Sequence, residues 1–189
     1  MPVSPSGTGN TFKSLILCFS REIEAALQEH RIDLGLVEGI CRLPNLRYTT
    51  FLQDELVAVV HTGSKLSLPD EITPEDLSRI PLVLRERGSG TLDVFERALS
   101  EHNMKLSSLN VLLYLGSTES IKLFLEHTDC IGIVSIRSIS RELLSGTFRV
   151  IEIKGMPMLR EFCFAQPQGQ ERGLSQVLMQ FAMHHNKKL

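Results

Sequence analysis

Tryptophan is absent from this 189-residue chain, tyrosine occurs twice, and aromatic residues together make up 6%. So few ring faces exclude a base-stacking platform for single-stranded nucleic acid. An excess of either charge is also lacking. Twenty Lys and Arg stand against 22 Asp and Glu, a formal net charge of −2, and the pI is near 6.3. That balance excludes a strongly basic nucleic-acid module, whose affinity comes from neutralised phosphates. No apolar run approaches the length of a membrane span, so no membrane association is expected. The four cysteines, Cys18, Cys41, Cys130 and Cys163, form no CxxC pair, and each lies in or beside an apolar stretch. They read as buried thiols of a reducing compartment rather than as disulfides or metal ligands. The first ten residues are rich in Pro, Ser and Gly and lack a basic start followed by an apolar core. No secretory signal is read there, and a cytoplasmic location is expected.

Hydrophobic residues make up 42% of the chain and charged ones 22%, the balance of a globular protein. At about 150 residues per domain the length suits a single domain, or two small lobes. Along the chain a strand–loop–helix order repeats. Ser14-Leu-Ile-Leu-Cys-Phe19 reads as a buried strand, and Ser20 as the cap of a helix carrying Ile23, Ala26 and Leu27 on one face. Glu22, Glu24 and Glu29 of that helix read as its solvated side. Asp33–Val37 and Glu55–Val60 read as strands, and Thr73-Pro-Glu-Asp76 as a short capped helix. Pro81–Leu84 reads as a brief buried strand, and Val111–Leu115 and Ile131–Val134 as strands, each followed by a polar turn and a helix. A helix closing at Ser145-Gly146 follows the last of them, then strands at Phe148–Ile153 and Glu161–Ala165. A final helix has Leu174, Leu178, Phe181 and Ala182 on one face. Alternating strands and helices predict an α/β fold with parallel strands. Ligands of such sheets sit beyond the carboxyl ends of the strands, where helix N-termini hold anions. Ser20, the Ser89-Gly-Thr91 loop, Ser117-Thr118 and Ser135 all occupy such positions. Each hydroxyl taken singly also reads as a helix cap.

In this order and spacing the segments resemble the effector-binding domain of LysR-type transcriptional regulators. The likeness is carried by Glu22–Leu27, Arg31-Ile-Asp-Leu-Gly-Leu-Val-Glu-Gly39, Gln53–Val57 and Pro81–Thr91. Gly116-Ser-Thr-Glu119, Ile131-Gly-Ile-Val-Ser135 and Arg141–Gly155 complete it. It runs from Ser14 to the C-terminal helix. The resemblance implies a two-lobed, periplasmic-binding-protein-like (type 2) fold with two crossover strands and an effector in the inter-lobe cleft. Lobe I would be residues 1–63 and 162–189, and lobe II residues 64–161. The implied effector-binding set is Ser20, Glu38, Gly39, Arg85, Ser89, Gly90, Thr91, Ser117, Thr118 and Ser135. Arg85 would meet an effector carboxylate with its planar fork, or be balanced by Glu86 instead. The family's winged helix-turn-helix and the domain's first strand and helix have no counterpart in this sequence. DNA would therefore be reached only through a part that this chain lacks. A homodimer is the family's usual assembly.

Enzyme signals are weak. Gly88-Ser-Gly90 is not followed by Gly-Lys-Ser/Thr, so it is no phosphate-binding P-loop, and no G-x-S-x-G elbow occurs. His184-His185 reads as a solvated terminus rather than a metal pair. No catalytic residue, no metal and no cofactor is expected. The reading is an effector-sensing domain that takes a small anionic metabolite; the alternative is a free-standing solute-binding protein of the same fold.

Overall fold

The computed structural model describes residues 20–38, 43–169 and 173–186, with the side chains of Ser20, Arg21 and Asn186 outside the description. The expected strand Ser14–Phe19, Cys18, Cys41 and the expected site residue Gly39 lie outside the described residues. By internal contacts the chain divides into two units. Among the described residues, one holds 20–37, 43–52, 163–169 and 173–186, and the other holds Glu38 and Gln53–Phe162. The chain passes between them within two long strands, β2 (Leu46–His61) and β8 (Met158–Pro167).

The first unit contains α1 (Ser20–Gln28), most of β1 (Gly35–Glu38), the start of β2, the end of β8 and α5 (Leu174–Asn186). Its core is Leu27, Val37, Leu46, Cys163 and Ala165, with Ile23, Ile32, Leu43 and Tyr48 packed against them. Glu24 departs from the expectation of a solvated carboxylate. It is buried and accepts a 2.6 Å hydrogen bond from the Tyr48 hydroxyl, which in turn accepts from the Leu43 amide at 3.1 Å. A carboxylate on the packed face of α1 is tolerable because this bond replaces its water. The apolar stripe of α5 also departs from expectation, since Leu174, Val177, Leu178 and Phe181 are all exposed.

The second unit is built on a mixed sheet. β4 (Leu82–Arg85) lies between β5 (Val111–Leu115) and β6 (Ile131–Ser135), and all three are parallel. β2 pairs antiparallel with β6, from Leu56↔Ser135 to Val59↔Gly132, and with β7 (Phe148–Ile153) on its other side. The short β3 (Glu71–Ile72) extends β7 in parallel. Both faces of this sheet are covered, so the strands are apolar at successive positions rather than alternating. Along β2, Leu56, Ala58 and Val60 join Leu82, Leu84, Ile131 and Ile133 beneath Phe95 and Leu99 of α2 (Gly90–Glu101). The intervening Val57 and Val59 turn the other way, to Ile121 and Leu125 of α3 (Thr118–His127) and to Ile139. Strand periodicity of two thus feeds two cores from one segment.

Local chemistry sets the element ends. Thr73 opens a 3₁₀ turn, and both its amide and its hydroxyl donate to Asp76, at 2.9 and 2.8 Å. α4 (Ser140–Ser145) ends at Gly146 in the left-handed conformation, φ 71°, where its amide reaches the Leu143 carbonyl. Between α3 and α4, Lys122 reaches Glu142 at 2.7 Å and Glu119 at 2.9 Å. Cys130 lies in the core, and burial pushes its thiol up to about 11. β5 lies at the sheet's edge, with Leu112, Leu113 and Tyr114 exposed.

Candidate functional site

The carboxyl ends of β4, β5 and β6 lie side by side, and each strand runs on through a polar turn to a helical segment. This is where a parallel α/β sheet presents helix N-termini to a ligand. Ser89 caps α2: its hydroxyl accepts from the Leu92 amide at 3.2 Å and donates to the Glu86 carbonyl at 2.8 Å. Ser117 caps α3, accepting from the Ser120 amide at 3.1 Å and sharing a hydrogen with the Ser120 hydroxyl at 2.8 Å. Both hydroxyls are therefore engaged in their own helices. Thr118, the first residue of α3, is half-buried, and its hydroxyl has no hydrogen bond among the described residues. Ser20 is the first residue of α1.

Arg85 ends β4. Its Nε and Nη2 clasp the two oxygens of Glu86 at 2.8 and 2.9 Å, and Nη2 lies 3.4 Å from the Gly116 carbonyl. The same fork holds the Glu86 carboxyl below its ordinary value. Of the two readings of Arg85, balance by Glu86 is the arrangement in this structure.

The other expected residues converge on a pair that sequence reasoning missed, Asp54 on β2 and Arg160 on β8. Arg160 Nε and Nη2 each lie 2.7 Å from Asp54 Oδ2. Its Nη1 donates to Glu38 Oε1 at 2.6 Å and to Thr91 Oγ1 at 3.1 Å. Ser135 donates to the second oxygen of Asp54 at 2.9 Å. The guanidinium carbon sits 4.8 Å from the centre of the Phe162 ring. Gly90 borders the same group: a Cβ there would overlap the Glu38 carboxylate. Glu38, Gly90, Thr91 and Ser135 are thus brought together around Arg160. Arg85, Ser117 and Thr118 stand apart from this cluster, with no described bond to it. The signal that marks Asp54 and Arg160 is their register. Asp54 shares a strand face with Leu56, and Arg160 with Phe162 and Phe164, so each is a charge on an apolar side.

Side-chain exposure in the cluster is 2% for Asp54, 9% for Arg160 and 14% for Glu38. Charges this buried require partners, and each has one. Among the described residues no cluster of His, Cys, Asp and Glu is suited to hold a metal ion, and no helix is long and apolar enough to cross a membrane.

Parallel strands that end at helix N-termini, in two units linked through two long strands, define an α/β ligand-binding domain of the two-lobed, periplasmic-binding-protein-like class. The sequence matches the family described as LysR substrate binding domain over residues 14–187, and the chain belongs to that family. YeiE, an HTH-type transcriptional regulator of Escherichia coli, is 32% identical over 134 residues, which cover 71% of this chain and 44% of YeiE. A phosphonates import ATP-binding protein, PhnC, of Anaeromyxobacter dehalogenans is 32% identical over 147 residues, 78% of this chain and 29% of that protein. Among solved structures, the regulatory domain of Synechocystis PCC6803 CcmR in complex with 2-PG superposes with a TM-score of 0.77 at 24% identity. That match covers 93% of this chain and 84% of the CcmR domain. The chain spans less than half the length of the two relatives.

Proposed function

We propose that this chain is the effector-sensing part of a LysR-type regulator and not a catalyst. It takes a small anionic metabolite at the strand ends of the second unit. The observation that carries this reading is a buried Arg160 ringed by Thr91, Glu38 and Asp54 beside the start of α2, in a chain of the LysR substrate-binding family. The hydroxyl of Thr118, open at the start of α3, and that of Thr91 offer donors to the ligand's oxygens, and the first-turn amides of α2 and α3 add positive potential. Ser20, Gly39, Ser89, Ser117 and Ser135 complete the proposed set; Ser89 and Ser117 act through the caps they form. In the whole regulator, ligand-dependent change in this domain acts on DNA through a winged helix-turn-helix carried outside this sequence, in a cytoplasmic homodimer. The energy available for that is the ligand's differential affinity for two arrangements of the domain.

Titration calorimetry with a panel of small carboxylated and phosphorylated metabolites headed by 2-PG tests this. The expected result is saturable binding that Thr118→Ala weakens about tenfold, the value of a hydrogen bond to a charged group, without loss of folding. A panel that yields no ligand, or unchanged affinity in Thr118→Ala, overturns the site. A second reading is solute capture without DNA by a protein of the same two-lobed fold. It is distinguished by a longer chain that binds its ligand but shows no ligand-dependent DNA affinity.

A further inference from the structure

All three guanidinium nitrogens of Arg160 already have partners. Nε and Nη2 are taken by Asp54 and Nη1 by Glu38 and Thr91. One guanidinium against two carboxylates leaves the cluster at a net charge of −1, so a further anion arriving beside it is repelled. The two carboxylates are not equivalent. Asp54 holds two guanidinium nitrogens with one oxygen and the Ser135 hydroxyl with the other, at 2% exposure. Glu38 accepts from Arg160 Nη1 and, at 14%, is the more exposed of the two. It also stands at the last position of β1, against the first turn of α2. Gly90 is what makes room for it, since any side chain at that position would begin inside the space its carboxylate fills.

The Glu38 carboxylate therefore occupies a place furnished for an anion: a guanidinium N–H, the Thr91 hydroxyl beside it, the opening turn of a helix, and a backbone without a Cβ. We propose that Glu38 is an internal stand-in for a carboxylate of the effector, which displaces it from Arg160 and from its place against Gly90 on binding. This rests on the effector-sensing reading above. The exchange leaves the cluster's charge at −1 when the incoming group is a monoanionic carboxylate. A phosphate dianion in the same place would take it to −2, so the group that enters here is a carboxylate, and any phosphate of the same ligand lies elsewhere. The stand-in also sets the working affinity. The effector binds only the fraction of molecules in which Glu38 has left, and its apparent dissociation constant rises by the inverse of that fraction.

The test uses the 189-residue chain and its Glu38→Ala and Glu38→Gln variants. Formate and acetate, against sodium chloride of equal ionic strength, are the probes in thermal melts. Both should raise the melting temperature of Glu38→Ala saturably and leave the native chain at its chloride value. Formate that fails to stabilise Glu38→Ala, or that stabilises both proteins alike, overturns the proposal. Arg160 keeps Asp54 in either variant, so folding is expected. Should Glu38→Ala not fold, Glu38→Gln retains the side-chain volume and carries the second measurement. A carboxylate ligand drawn from the metabolite panel should bind Glu38→Gln about tenfold more tightly than the native chain. Equal affinities sink the stand-in and leave effector sensing intact. Formate rescue with no ligand from the panel supports the stand-in and counts against effector sensing.

Discussion

Replacing Arg160 by Met keeps an unbranched apolar stem and removes the positive charge that Asp54 and Glu38 share. The native cluster holds three charges, the least exposed of them at 2% and the most exposed at 14%. In the variant two carboxylates remain, and Asp54 keeps a single described bond, from Ser135. Breaking a buried pair by removing one partner costs about 3–5 kcal/mol, because the surviving charge stays desolvated and uncompensated. For a chain of this size about 1 kcal/mol shifts the melting temperature by roughly 2–4 °C. Arg160→Met should therefore melt about 6–20 °C below the native chain by circular dichroism. A double-mutant cycle tests the electrostatic origin. Glu38→Gln should raise stability in the Arg160→Met background, where it relieves repulsion from Asp54, and should not raise it by the same amount in the native background, where Arg160 holds the carboxylate. A loss under about 1 kcal/mol for Arg160→Met, the range of a solvated ion pair, would refute the reasoning. Identical effects of Glu38→Gln in the two backgrounds would refute it too.

Two further outcomes follow from hydrogen bonds in the second unit. Ser89→Ala removes the cap on the Leu92 amide and should cost about 1 kcal/mol in urea melts, while ligand affinity changes less than it does in Thr118→Ala. The Lys122 hydrogen bond holds the Glu142 carboxyl below its ordinary value of 4.5. A folded value lower than the unfolded one gives stability that is full above the unfolded value and is lost as pH falls through the folded one. Urea melts taken from neutrality into the acid range should show a shallower acid loss for Lys122→Met than for the native chain, and parallel curves would deny the pair this role.

The elements that the sequence made legible are those whose cause is local. Val111–Leu115 and Ile131–Val134 are short apolar runs that end at Gly116 and Ser135, and the strands run Val111–Leu115 and Ile131–Ser135. The Gly146 turn and the Thr73 opening needed only neighbours within a few positions. The first half of β2 was not legible. Leu46–Asp54 mixes Arg47, Thr49, Thr50 and Gln53 with isolated apolar residues, and its extended form continues the paired strand beyond it. The buried state of Glu24 needed Tyr48, 24 positions away. The apolar stripe of α5 was legible as a stripe, yet periodicity alone does not say what covers it.

The same distinction orders the candidate site. A serine at a helix start satisfies the amides two or three positions ahead with almost no loop to close, so Ser89 and Ser117 are spent on their own helices. Read from sequence, such hydroxyls look like ligand donors because both roles require the same residue at the same place. Arg160 has no comparable local solution. Its partners Asp54 and Glu38 lie 106 and 122 positions away, and they meet only because β1, β2 and β8 bring their charged positions to one place. A charge on the apolar side of a strand is therefore the stronger sequence mark of a site than a hydroxyl at a helix start. The hydroxyl can be satisfied before any ligand arrives, whereas the buried charge obliges the fold to supply a counter-charge. Here that counter-charge is divided between a fixed residue, Asp54, and an exchangeable one, Glu38.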